Sequence, residues 1–308
     1  MLPLPTTMVP PSQRRPNAYR GGIIQIWLTR ACDKSCFGCT QGSNLGGKPG
    51  MMTPEQFEEA CLSLKDYWGV VGVFGGNPAV SPHFEACCEI MRRHIPYEQR
   101  GLWCNNLKGK GAAARATFNP AVCNLNVHMD AEALAEFRRD WPEAMPCGTD
   151  KDSLHAPPLV ALQDVVPSEA ERWHLIGKCD VNQNWSAMIG VFRGELRGYF
   201  CELAGAISML HQHEPDYPDT GLPVTPGWWN QPMSAFEAQA RRQCHECGIP
   251  LRAKGELAQG GQTEQVSATH AGVFKTKTPG RLVQIVTRRD ELKGQVAKAT
   301  DYLGNAGK

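Results

Sequence analysis

Residues 21–40 read GGIIQIWLTRACDKSCFGCT. The first nine form an apolar, β-branched run with glycines at its start, which predicts a buried strand. The loop that follows directly sets Cys32, Cys36 and Cys39 in a C-x3-C-x2-C array, one thiolate short of the four that close a metal shell. Further along, MTPEQFEEACLSLKDYW (52–68) opens with Thr53 as an N-cap and Pro54 at the first helical position, and Phe57, Cys61, Leu64 and Trp68 share one helical face. GVVGVFGGNP (69–78) predicts a second strand, HFEACCEIMRRHI (83–95) a second helix, GLWCNNL (101–107) a third strand and CNLNVHMD (123–130) a fourth. Strands alternating with helices imply βαβ units and a parallel sheet, open or closed as a barrel. Polar residues at the carboxyl ends of such strands form the site.

Composition bounds the function. A chain of 308 residues that is 42% hydrophobic buries a full core as one large domain or two modest ones. A formal net charge of +1 gives no overall field that gathers nucleic acid or an anionic membrane. No run approaches the ~18 apolar residues of a membrane span. The opening MLPLPTTMVPPSQRRPNAYR carries prolines and charges where a secretory signal has its apolar centre, so a cytoplasmic location is expected. A reducing cytosol disfavours structural disulfides, which leaves metal binding, catalysis or packing for the 13 cysteines. Cys61, Cys87, Cys88, Cys104, Cys123 and Cys147 are scattered and suit small buried hydrophobes. Two groups remain: the first array, and Cys179, Cys201, Cys244 and Cys247.

Three thiolates can hold three irons of a cubane 4Fe-4S cluster and leave the fourth iron open to an external ligand. With its preceding strand, the array resembles the defining motif of the radical S-adenosylmethionine (SAM) superfamily, which also has an aromatic residue just before the last cysteine. Here Phe37 stands one position earlier, because Gly38 precedes Cys39. Gly75, Gly76, Asn77 and Pro78 are similar to the family's Gly-Gly-Glu-Pro segment, which contacts the amino group of SAM. The resemblance assigns Asn77 an acceptor role there, without a glutamate's charge. CNNL resembles the family's third-strand segment and makes Asn105 a pocket residue. NVHMDA resembles its fourth, so that His128 and Asp130 would point inward near SAM or substrate. A zinc knuckle completed by a distant ligand is the alternative, although zinc explains neither the flanking strand and helix nor the Gly-Gly-x-Pro strand end.

SAMIGVFRGELRGYFC (186–201) predicts a β-hairpin about Arg193-Gly194-Glu195 that delivers Cys201, and SAFEAQARRQC (234–244) a helix leading into the last cysteine pair. Four thiolates in this order make a complete site. They resemble the twitch domain, the shortened SPASM domain that appends an auxiliary 4Fe-4S cluster to radical SAM enzymes, and are similar to twitch-domain dehydrogenases that oxidise an aminocyclitol alcohol. A structural zinc held by the same four cysteines stays open. Together the resemblances imply an α/β chain built as a partial (β/α)6 barrel with a small α+β auxiliary domain. Its parts would be an arm (1–20), the barrel (21–170), the auxiliary domain (171–254) and an extension (255–308). They further imply SAM cleavage to a 5'-deoxyadenosyl radical, hydrogen abstraction from a small or carbohydrate-like substrate, and a flavodoxin or ferredoxin as electron donor.

The remaining features read more plainly. His211 and His213 fall in a Pro- and Asp-rich stretch and read as solvated, while Trp228 and Trp229 read as packing residues. Lys275, Lys277, Arg281, Arg288 and Arg289 flank LVQIV and read as a solvated face, with a phosphate-contacting surface for a nucleotide or DNA as the sharper alternative. Three classes therefore compete: a radical SAM oxidoreductase, a radical SAM isomerase or modifying enzyme acting on a peptide or DNA base, and a non-catalytic zinc or iron–sulfur module.

Overall fold

The computed structural model describes residues 2–14, 22–251, 256–259 and 263–292. The predicted strand forms as β1 (Ile23–Thr29), buried along its whole length. α1 (Pro54–Ser63) starts where its signals place it: the Thr53 side chain accepts from the Gln56 amide, and the Gln56 side chain returns to the Thr53 amide. The helix ends short of the expected span because Asp66 turns left-handed at φ 67°. Trp68, expected on the inner face, is consequently 53% exposed and lies edge-on to Trp229.

β2 (Val70–Gly75), α2 (Phe84–His94), β3 (Arg100–Cys104), α3 (Gly111–Thr117), β4 (Asn124–Leu125) and α4 (Ala131–Asp140) continue the alternation. Phe57 of α1 and Phe84 of α2 are fully buried, each worth roughly 1.5–3 kcal/mol of apolar transfer. The chain then runs through β5 (Leu154–His155), α5 (Leu162–Val165), α6 (Glu169–Gly177) and α7 (Val181–Asn184) to the hairpin β6 (Ser186–Phe192) and β7 (Glu195–Tyr199). Arg193 and Gly194, at φ 50° and 89°, form its two-residue turn, in which both positions take positive φ. α8 (Glu202–His211), β8 (Leu222–Pro223) and α9 (Glu237–Glu246) follow, then β9 (Glu256–Leu257), β10 (Thr263–Val266), α10 (Ala268–Ala271) and β11 (Leu282–Ile285).

The main sheet is mixed, with strand order β4-β3-β2-β1-β6-β7-β8. β4, β3, β2, β1 and β6 run parallel to their neighbours, whereas β6–β7 and β7–β8 pair antiparallel. This differs from the six-stranded parallel partial barrel implied by the resemblance. β5 pairs antiparallel with β9 in a separate ladder, and the chain next enters the sheet at the far edge of β1. A two-residue turn can join only antiparallel strands, so the hairpin that carries Cys201 extends the same sheet as β1.

The described part of the arm packs more closely than its composition suggests. In the arm, Met8 and Arg14 are buried, Thr7 donates to the Gly177 carbonyl, and Arg241 reaches back to the Leu2 carbonyl. The rest of the arm, and the extension beyond residue 292, lie outside the described residues. No described helix is long and apolar enough to cross a membrane.

Candidate metal centres

The first cysteine loop is built on close backbone approach at the end of β1. The Gly76 amide donates to the Thr29 carbonyl at 2.7 Å, and the Asn77 amide to the Ala31 carbonyl at 2.8 Å. A Cβ on Gly75 would stand 2.1 Å from the Thr29 oxygen, and one on Gly76 2.2 Å from the Ala31 oxygen, so only glycine lets β2 lie against the root of the loop. Gly38 obeys the same logic: its φ is 54°, and a Cβ there would lie 2.4 Å from the Ala156 carbonyl. The glycine that displaces the aromatic residue by one position is therefore required by packing.

Around the thiols, Asn105 Nδ2 donates to Cys32 Sγ at 3.3 Å and Gln259 Nε2 to Cys36 Sγ at 2.8 Å. The Ser43 amide donates to Cys39 Sγ at 3.4 Å. Burial raises the Cys36 thiol, and the charges of Cys39 and Cys32 raise it further, so the three sulfurs feel one another. Binding positively charged iron removes both penalties by stabilising the thiolates. Asn105 Oδ1, Gln41 Oε1, Ser43 Oγ and Asn44 Oδ1 are buried without hydrogen-bond partners, an excess of unsatisfied polar groups about one loop. The donor set and these orphaned atoms fit a bound cluster and a polar organic ligand.

Phe37 is 1% exposed, its amide donates to Ala258 O and its carbonyl accepts from His155 Nδ1. Asn77 is fully buried; its Oδ1 accepts from the Ala79 amide, and its Nδ2 donates to Asn106 Oδ1 at 2.7 Å and toward Asp33. It braces the loop through Asp33. Burial opposes the ionisation of Asp33, yet hydrogen bonds from Lys108 and Asn106 hold its pKa below the usual value.

Asp130 accepts from the Glu132 and Ala133 amides at the start of α4 and pairs with Lys34 inside the cysteine loop at 2.8 Å. His128 and Met129 are left-handed at φ 51° and 58°, and His128 Nδ1 lies 2.9 Å from Asp152 Oδ1. Asp152 in turn accepts from the Gln259 amide. The fourth-strand end is thus tied to the loop, with its polar groups engaged in protein contacts.

The extension supplies a cradle that no local pattern announced. Lys277 Nζ donates to the Cys32 and Lys34 carbonyls at 3.0 and 2.6 Å, and Thr278 meets Ser35 at 2.6 Å. Glu264, 3% exposed, accepts from the Gly38 amide and Asn44 Nδ2 and is paired with Arg281 at 2.7 Å. The solvated reading of Lys277 and Arg281 is therefore corrected. Arg288 and Arg289 pair with Asp290, Glu291 and Glu171 near the surface.

Cys179, Cys201, Cys244 and Cys247 line a single cavity, together with Ile176, Val181, Phe200, Leu203 and Ala204. Cys201 occupies the N-cap of α8, where the helix dipole favours anionic sulfur. Burial raises all of Cys201, Cys244 and Cys247, and their mutual charges add to it. Among the described residues, no three Cys, His, Asp or Glu side chains converge closely enough to hold one metal ion.

Beside both centres lies a cavity of ≈ 570 Å³ lined by Cys39, Trp27, Gln41 and the α8 residues Leu203, Ala206, Ile207 and Leu210. Leu203 lines the four-cysteine cavity as well. Trp27 Nε1 and Gln41 Oε1 have no hydrogen-bond partner. His211 is corrected from solvated to buried: it ends α8, with Nδ1 2.7 Å from Glu214 and Nε2 2.9 Å from His270.

No protein-family model matches the chain, and no curated protein matches it. Five solved chains do. BtrN in complex with AdoMet and 2-DOIA is 14% identical, over 73% of this chain and 87% of that one, with a TM-score of 0.43. Selenomethionine BtrN in an open conformation is 13% identical, over 78% and 91%, with a TM-score of 0.40. Likeness at this level carries no chemistry across to this chain.

Proposed function

We propose that this chain is a radical SAM oxidoreductase acting on a small or carbohydrate-like molecule. Cys32, Cys36 and Cys39 would hold the SAM-binding 4Fe-4S cluster, and Cys179, Cys201, Cys244 and Cys247 an auxiliary one. When bound, the first cluster and SAM supply a 5'-deoxyadenosyl radical able to take hydrogen from an unactivated carbon, chemistry that belongs to the cofactor. The observation that carries the reading is the cavity touching Cys39 on one side and α8 on the other, with Leu203 shared with the four-cysteine cavity. A molecule seated there lies between a site that starts radical chemistry and one suited to accept the remaining electron, an arrangement that supports dehydrogenation over isomerisation.

The protein's own residues hold and shield. Asn105 and Gln259 donate to the sulfurs, Lys277 and Asp130 hold the loop backbone and Lys34, and the unpartnered Trp27 and Gln41 groups offer one donor and one acceptor to a polar ligand. A volume of ≈ 570 Å³ falls within the usual range for small-molecule sites, which favours such a substrate over a polymer.

Anaerobic reconstitution with iron and sulfide, followed by metal analysis and a dithionite-driven assay for 5'-deoxyadenosine, tests this. About eight irons per chain, with 5'-deoxyadenosine from the native protein and none from a Cys32/Cys36/Cys39 triple-alanine variant, is the expected result. Equal cleavage by both proteins would overturn it.

A further inference from the structure

Arg14 is a buried cation without a matching anion. It is 2% exposed, carried behind the hairpin by the N-terminal arm. Its two terminal nitrogens donate to neutral acceptors, the carbonyls of Phe200 and Trp185, and Nε has no partner. Among the described residues no carboxylate stands within ion-pair distance of it. Glu202, the residue after Cys201, accepts a hydrogen bond from Ser186 Oγ. Leaving a guanidinium buried and unpaired is expensive, so the fold that tolerates it must supply negative charge nearby.

The carbonyl it binds points to the source: Phe200 is the residue before Cys201, and Cys201 and Cys179 are among the groups that feel its charge. Arg14 does not line the four-cysteine cavity. It stands one layer behind, bonded to the carbonyl of Phe200, which itself lines the cavity beside Cys201. Four thiolates around a 4Fe-4S core in its oxidised state give a net charge of −2, and uptake of one electron takes it to −3. A fixed positive charge in a medium of low dielectric stabilises the second form more than the first.

We propose that Arg14 is the counter-charge of the second cysteine site, raising the reduction potential of the cluster held there so that it accepts an electron more readily. The N-cap position of Cys201 on α8 adds to the same field. This rests on the auxiliary-cluster reading above. Arg14 is a positioning residue for charge: it touches neither substrate nor iron.

The experiment uses the full chain with Cys32, Cys36 and Cys39 changed to alanine, so that only the second site can load. Iron and zinc are counted first, and the cluster is then titrated by EPR-monitored potentiometry with dithionite, with Arg14 native, Arg14→Lys and Arg14→Met. Expected are about four irons and a reduction equilibrium constant at least tenfold lower in Arg14→Met, a fall of about 59 mV for a one-electron couple, with most of it restored in Arg14→Lys. Identical midpoints in all three overturn the proposal while leaving the cluster reading intact. Zinc or no metal in the Arg14-native protein overturns the cluster reading and the proposal with it. If Arg14→Met fails to load, Arg14→Gln replaces it. Iron lost from both neutral variants but kept by Arg14→Lys supports the proposal, and iron lost from every Arg14 variant overturns it in favour of packing.

Discussion

Lys277 Nζ lies 3.0 Å from the carbonyl oxygen of Cys32, a residue 245 positions away in the chain. The same ammonium holds the Lys34 carbonyl, so one side chain of the extension spans the root of the first cysteine loop. Replacing it by methionine removes two charge-assisted hydrogen bonds while keeping the length of the stem. Lys277→Met is expected to destabilise the apo protein by about 1.5–3 kcal/mol and to lower iron retention at the first site. Urea unfolding and iron counts after gel filtration check this; unchanged iron retention would show that the loop stands without its clamp.

Glu264 and Arg281 form a buried pair whose carboxylate also receives the Gly38 amide and Asn44. Glu264→Gln leaves the guanidinium without its anion at a position where Arg281 is 8% exposed. A loss of about 3–5 kcal/mol is expected, enough to threaten folding. The double variant Glu264→Gln with Arg281→Met should recover a large part of it, and failure to recover would argue that the loop contacts matter more than the charge.

Gly76→Ala puts a methyl group 2.2 Å from the Ala31 carbonyl. Backbone on both sides must separate, at a cost of roughly 1–3 kcal/mol. Because Ala31 is the residue before Cys32, 5'-deoxyadenosine formation should fall together with stability. A variant that is destabilised yet cleaves SAM at the native rate would separate the strand contact from the loop geometry.

The two cysteine groups should separate by function. Cys36→Ala is expected to abolish SAM cleavage and remove about four irons, whereas Cys244→Ala removes about four irons, retains some cleavage and impairs turnover of the true substrate. Loss of cleavage in a folded Cys244→Ala protein with its first cluster intact would contradict a purely downstream role.

Burial pushes the His270 imidazole down to about 4, against the opposing effect of its hydrogen bond to the Glu246 carbonyl. The folded protein therefore holds His270 neutral, and the unfolded chain, titrating near ~6.5, takes up the proton first as pH falls. Stability is present above ~6.5 and is lost as pH drops toward 4, by about 2 kcal/mol between pH 7 and pH 5 for this residue. His155 and His245, also near 4, act in the same direction, so the informative quantity is the difference between native and His270→Gln apo proteins. Urea midpoints at pH 7 and pH 5 should diverge less in the variant, and parallel curves would remove His270 from the acid sensitivity.

The elements whose causes are nearest neighbours were legible in the sequence. The Thr53–Gln56 cap, the buried run at 23–29 and the Arg193-Gly194 turn all form as their local chemistry requires. The spacing of Cys32, Cys36 and Cys39 and the membership of the later four cysteines were visible as well, and the later four do line one cavity. Asn77 was noticed, but its contacts with Ala79 and Asn106 were not, because hydrogen-bond capacity is a property of the amide while its partners are a property of the fold.

What only the tertiary structure decided is where charges find their partners. A lysine in a basic stretch carries no mark saying that its target is a carbonyl 245 residues away, and an arginine in a proline-rich arm none that it will be buried behind Cys201. Backbone caps and turns are specified over three or four residues, so sequence determines them. Long-range electrostatic pairing depends on which surfaces the sheet brings together, and here β6 enters beside β1, while the cavity lined by Cys39 and the cavity lined by the four later cysteines share Leu203.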